Sequence, residues 1–174
     1  MTMWVRHALA IAVLPFVAVV AVPRWILHAY GLSVGSPTPS AYGIRAIGVM
    51  LLVIGFGFFL ASLRRFATEG RGTLAPWDPP RELVVNGPYR HVRNPMISGV
   101  VLFAFGEAAV LLSWPLLVWA AAFFALNTVY IPLVEEPQLR RRFGSIYDAY
   151  CRHVPRVIPR LRPWRPARVP NGFR

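Results

Sequence analysis

Gly87-Pro88-Tyr89-Arg90-His91-Val92-Arg93-Asn94-Pro95-Met96 places an arginine-rich turn directly ahead of a long apolar run. Over residues 94–134, forty-one in all, the only charged residue is Glu107. As one helix this run would reach ~60 Å, about twice the ~30 Å hydrocarbon core of a bilayer. It must therefore fold back on itself. Ser113-Trp114-Pro115 supplies the break, with a tryptophan suited to a membrane interface. The return leg brings a second polar cluster, Glu135-Glu136-Pro137-Gln138-Leu139, beside the arginine turn. Two polar clusters at the same end of one apolar hairpin predict a site.

Working outward, the rest of the chain has the same character. Of its 174 residues 56% are hydrophobic and the mean hydropathy is +0.48, too apolar for an ordinary soluble domain. Apolar stretches predict transmembrane helices at about 8–29, 43–63, 95–112 and 115–134. Arg6 ahead of the first stretch imitates a secretory signal, but no small-x-small cleavage site follows, so it reads as a retained helix bent or ended by Pro23. The fold class is an all-α integral membrane protein of about four transmembrane helices plus a cytoplasmic interfacial C-terminal helix, forming a single membrane domain over residues 1–174. Leu139, Phe143, Ile146, Tyr147 and Tyr150 fall on one face of that last helix, which Pro155 and Pro159 end. Residues 67–88 read as an ordered, turn-rich loop in which Trp77 seeks a surface, and residues 161–174 as an Arg/Pro-rich tail.

All nineteen basic residues are arginine, against seven acids, for a formal charge of +12. Six arginines lie in residues 64–95 and ten after Val134, whereas residues 28–41 and 113–115 hold none. The positive-inside rule puts both termini in the cytoplasm, in a plasma or inner membrane. Beside apolar spans, such charge points to anionic membrane lipids as partners, not to nucleic acid. The lone Cys151 forms no internal disulfide, and no spacing suggests a metal site.

Arg90 and Arg93, with the amides that open a helix at Pro95, make a place for an anion or carboxylate; the alternative is that they are merely membrane anchors. Glu135 and Glu136 oppose the dipole of the helix they end. One of them could cap a helix opened by Pro137, but two exceed what capping requires and would suit a cationic ligand. His91 reads as a solvated loop histidine. Glu107, a carboxylate at membrane depth, calls for a partner, and Arg45 lies at a compatible level for a structural pair.

The order of motifs resembles a known family. GPYRHVRNPMISG at 87–99, EEPQL at 135–139, FGSIYDAY at 143–150 and VPRVIP at 154–159 are similar to the core of the integral-membrane methyltransferases that include isoprenylcysteine carboxyl methyltransferase and phospholipid N-methyltransferases. The likeness covers residues 76–160, a family-like catalytic core. It implies S-adenosylmethionine as cofactor and methyl transfer to a lipophilic small-molecule or lipid acceptor, whose carboxylate, amine or thiol is methylated at the cytoplasmic membrane face. Arg93, Asn94 and Glu135 would be catalytic. The cofactor would be held by Tyr89, Arg90, Arg93, Asn94, Pro95, Gly99, Glu135, Glu136, Tyr147, Tyr150 and Arg156. Two positions depart from the family: Asn94 stands for its histidine and Ile97 for its tyrosine. Asparagine exchanges hydrogen bonds but does not titrate near neutrality. A nicotinamide-dependent membrane reductase and a non-catalytic binder of anionic lipid are the competing readings.

Overall fold

The computed structural model describes residues 15–31, 38–69 and 83–165. Among these residues every regular element is helical. A π-helical turn, Val17–Ala21, runs into α1 (Val22–Tyr30), followed by α2 (Pro39–Glu69) and a 3-10 turn at Gly87–Arg90. Next come α3 (Pro95–Leu111), α4 (Trp114–Tyr130), a second π-helical turn at Ile131–Glu135, α5 (Glu136–Phe143) and α6 (Ser145–His153).

Two helical stretches, Pro39–Arg65 and Trp114–Phe143, are long and apolar enough to cross a membrane. Val17–Tyr30 and Pro95–Leu111 are apolar but shorter. The long helices do not hide their apolar side chains: Val53, Leu126 and Leu133 are 67%, 65% and 70% exposed. Such a band on a soluble surface would be an aggregation hazard, whereas hydrocarbon covers it at no cost. The start of the expected first span lies outside the described residues, as does most of the 67–88 loop, including Trp77.

The hairpin forms where the sequence places it. Leu112 takes a left-handed conformation (φ 50°) just past α3, and Trp114-Pro115 opens α4. Pro23 does not end the first helix. It sits at the start of α1, whose missing amide hydrogen bond is absorbed beside the wider π turn, and the helix runs on to Tyr30. Trp119 of α4 donates its indole N–H to the Ala18 carbonyl (2.9 Å), and Ile26, Ala108 and Leu116 pack together where α1 meets the hairpin.

Glycines decide how closely α2 and α3 approach. A Cβ on Gly55 would stand 2.6 Å from the Gly99 carbonyl oxygen, and one on Gly99 2.7 Å from that of Gly55. Gly106 meets Gly48 in the same way, at 2.9 Å. The two pairs, seven residues apart on each helix, let the backbones touch as small residues do between membrane helices. Gly99→Val is therefore expected to push the helices apart and lower stability by ~1–3 kcal/mol, read as a fall in unfolding temperature in detergent.

The expected single amphipathic helix after Pro137 is two. Gly144, at φ +56°, breaks it into α5 and α6, a conformation that costs glycine little and other residues more. Tyr147, Tyr150, Val85 and Val154 then close a small core against Leu139, Phe143 and Trp164.

Candidate functional site

The site stands where the start of α3, the end of α4 and the segment after α6 converge. Asn94 is the N-cap of α3: its Oδ1 accepts from the Ile97 amide (3.5 Å), and its carbonyl accepts from the Ser98 amide and hydroxyl, both at 3.0 Å. Asparagine is among the best residues for this position. Its Nδ2 donates to both oxygens of Glu135, at 3.2 and 3.1 Å. One side chain thus starts the helix and orients a carboxylate across 41 residues of chain.

The two glutamates face different ways because of the π turn between them and α4. Pro132 and Pro137 each lack an amide hydrogen, and between them the Glu136 amide bonds five residues back, to the Ile131 carbonyl. The extra residue in the turn sends Glu136 inward, where it is 3% exposed, and leaves Glu135 half-buried beside Asn94.

Glu136 is fully engaged. Arg93 Nη1 donates to its Oε1 (2.8 Å), while Arg156 donates through Nε to Oε1 (2.8 Å) and through Nη2 to Oε2 (2.9 Å). Burial works to raise this carboxyl, but the bonds and charges of Arg156 and Arg93 outweigh it and hold the group below the ordinary carboxylate range. Arg93 also donates through Nε to the Val154 carbonyl (2.7 Å) and through Nη2 to that of Cys151 (3.0 Å), and its amide bonds the Pro155 carbonyl. Arg93, Glu136 and Arg156 form a clamp that fixes the end of α6 to the start of α3.

Glu135 has no such neutralisation. Among the described residues its hydrogen-bond partner is the Asn94 side-chain amide, and it stands just past Val134, where the apolar run of α4 ends. Burial and the charge of Glu136 push its pKa up to about 7, against the lowering effect of Asn94. Tyr89 lies near enough that burial, then the charges of Glu135 and Glu69, drive its hydroxyl well above the ordinary range. Beside it Arg90 donates to Asn86 Oδ1 (3.1 Å), Asn86 donates to Glu69 Oε2 (2.9 Å), and Arg65 donates to Glu69 Oε1 (2.9 Å). Among the described residues, the Nε of Arg90 is buried without a hydrogen-bond partner. Sequence reasoning missed Glu69 and Asn86; their one signal was the i, i+4 spacing of Arg65 and Glu69.

Several other expected site residues are engaged in packing. Tyr147 and Tyr150 are 2% exposed in the small core, and the Tyr150 hydroxyl is spent on the Tyr89 carbonyl (2.7 Å). Gly99 faces Gly55, and Pro95 is buried at the first turn of α3. His91 is not a solvated histidine: its Nδ1 donates to the Arg160 carbonyl (2.7 Å), tying down the segment after α6. Among the described residues, Glu107 keeps one oxygen buried without a hydrogen bond.

Next to Asn94 is a cavity of ≈190 Å³. Ile97, Val101 and Leu102 of α3, Phe124 and Ile131 from the α4 side, Phe58 of α2 and Val157 make it largely apolar. Asn127 and Thr128 also line it, with their side chains bonded to the Phe123 and Phe124 carbonyls one turn back. Asn94 and Arg156 mark its polar end.

Helical throughout its described elements, with two apolar helices long enough to cross a membrane and a charged site joined to an apolar cavity at one end of a helical hairpin, the chain has the build of a membrane-associated helical protein. Residues 44–146, more than half of the chain, match the phospholipid methyltransferase family, and the chain belongs to that family. Methyltransferases of this type generally use S-adenosylmethionine. Comparison with curated proteins gives no match.

Proposed function

We propose that the protein transfers a methyl group from S-adenosylmethionine to a lipophilic acceptor, from a site at the cytoplasmic end of four membrane helices. The observation that carries this is a carboxylate with no arginine partner among the described residues, Glu135, held by Asn94, which itself stands at the polar end of an apolar cavity. The cofactor's amino-acid portion is a zwitterion next to a sulfonium. Its cationic groups suit Glu135 and its carboxylate suits Arg90. When bound, it supplies a methyl group activated by the positive sulfur.

The protein's own work is positional. Asn94 holds Glu135 in one orientation, and the Arg93–Glu136–Arg156 clamp fixes the two chain segments that carry the site. The cavity takes the acceptor's hydrocarbon part and excludes water, so that the reacting atoms meet in a dry, fixed geometry. Glu135 is also the carboxylate able to accept a proton from an amine or thiol acceptor, in place of the titratable histidine that Asn94 replaces.

The test is transfer of labelled methyl from S-adenosylmethionine into the lipid extract of membranes containing the protein, with Val101→Trp as comparison. The wild type should label the lipid fraction. The Trp side chain fills the cavity, so Val101→Trp should bind S-adenosylmethionine within ~3-fold of wild type yet lose ~10-fold or more of the transfer. Absence of both cofactor binding and transfer in folded protein would reject the proposal.

A further inference from the structure

The segment after α6 is strapped to the arginine turn along one edge and exposed along the other. Arg93 N–H bonds the Pro155 carbonyl, Arg160 N–H the His91 carbonyl and Trp164 N–H the Arg90 carbonyl, each at 3.0 Å. His91 adds its ring bond to the Arg160 carbonyl, and Trp164 stacks on His153 with ring centroids 5.4 Å apart. The backbone of this strap is thus held by the site itself. Its free edge nonetheless carries large apolar side chains: Ile158 is 79% exposed and Leu161 is 97% exposed, beside the half-exposed Val157.

A soluble surface does not hold leucine out at that exposure on a pinned backbone without reason. Two further facts say what covers it. The same short strap carries Arg160, Arg162 and Arg165, giving apolar side chains interleaved with cations. Val157 and Ile131 line one cavity, and the α4 helix beside Ile131 continues into the exposed Leu133 and Val134, so the strap stands level with the end of the apolar helix band. Apolar side chains flanked by arginine at that level match the boundary between acyl chains and anionic headgroups.

We infer that residues 157–161 form a membrane-inserted strap: Ile158 and Leu161 enter the acyl region of the adjoining leaflet, and the neighbouring arginines bind its anionic headgroups. The strap also gives Arg156, Val157 and Pro159 to the cavity wall. The inserted residues therefore stand at the cavity's margin, where a lipid leaving the bilayer first meets the protein. That passage rests on the proposed function. The insertion does not, and its test needs no catalysis.

The experiment uses the full chain in lipid nanodiscs, with Cys151→Ser removing the native thiol and Cys151→Ala in reserve if serine disturbs the small core. A small dye is attached at Ile158→Cys, Leu161→Cys or, as a reference at the exposed α5–α6 turn, Ser145→Cys. Quenching is then read with aqueous iodide and with lipids spin-labelled high on the acyl chain. Dyes at 158 and 161 should be quenched by the lipid probe and be roughly fivefold less accessible to iodide than the dye at 145. Protection should deepen when anionic lipid is added to zwitterionic discs. Iodide access at 158 and 161 equal to that at 145, without lipid quenching, would overturn the insertion. Protection indifferent to lipid charge would overturn the role given to the arginines.

Discussion

Glu136→Ala is expected to destabilise the protein more than any other single change at the site. The carboxylate is buried, and it takes one hydrogen bond from Arg93 and two from Arg156. Removing one member of a buried ionic group strands the others, at a cost of ~3–5 kcal/mol. Arg93 is the worse stranded, since its side chain is 16% exposed, whereas Arg156 at 37% is partly rescued by water. The loss should therefore lie near ~3 kcal/mol, a fall of about 6–12 °C in unfolding temperature. The sign with pH is a second check. A carboxyl held below its ordinary pKa stabilises the fold above the unfolded value and loses that contribution as pH falls through the folded one. The wild type should lose stability on acidification through the carboxylate range, and Glu136→Ala should show a smaller loss there. An unchanged unfolding temperature would mean that the clamp does not hold α6 in place.

The sequence made the hairpin legible because a length argument decides it: an apolar run of twice the bilayer thickness has to turn, and Trp114-Pro115 says where. It also made legible that the two polar clusters meet. What each glutamate does was hidden, because it depends on a π turn between Pro132 and Pro137 that sends adjacent side chains in different directions. A run of two acids looks like one doubled charge, but the fold spends one on arginines and leaves the other open. Tyr147 and Tyr150 have a packing role that the motif did not signal. Their spacing correctly placed them on one helical face, but that face is a core, as aromatic periodicity ordinarily signals. Gly99 had a readable alternative in its seven-residue spacing to Gly106, matched by Gly48 and Gly55. Asn94 in place of histidine looked like a loss of chemistry. In the fold it is a helix cap that also aims Glu135, a pairing of roles that one short amide can fill.

Glu135→Gln should do the reverse of Glu136→Ala, removing ligand binding while leaving the protein at least as stable. The substitution keeps the shape and an oxygen for Asn94 but deletes a carboxylate that no arginine among the described residues neutralises. A charge-assisted contact to a cationic ligand is worth about 2–3 kcal/mol, so S-adenosylmethionine should bind ~30–150-fold more weakly. The wild type has a companion signature. With a pKa of about 7, Glu135 holds a cation only when ionised, so affinity should drop roughly tenfold from pH 8 to pH 6, and Glu135→Gln should flatten that dependence. Stability moves oppositely. A carboxyl whose folded pKa is raised binds its proton more tightly in the native state, so its contribution is lost as pH rises from the unfolded value through about 7. Glu135→Gln removes that strain, and above pH 7 it should unfold ~1–3 kcal/mol later than wild type. A gain in stability with a loss of binding is the mark of a charge kept for a ligand. If Glu135→Gln bound S-adenosylmethionine as the wild type does, the open carboxylate would not be the cofactor's cation site.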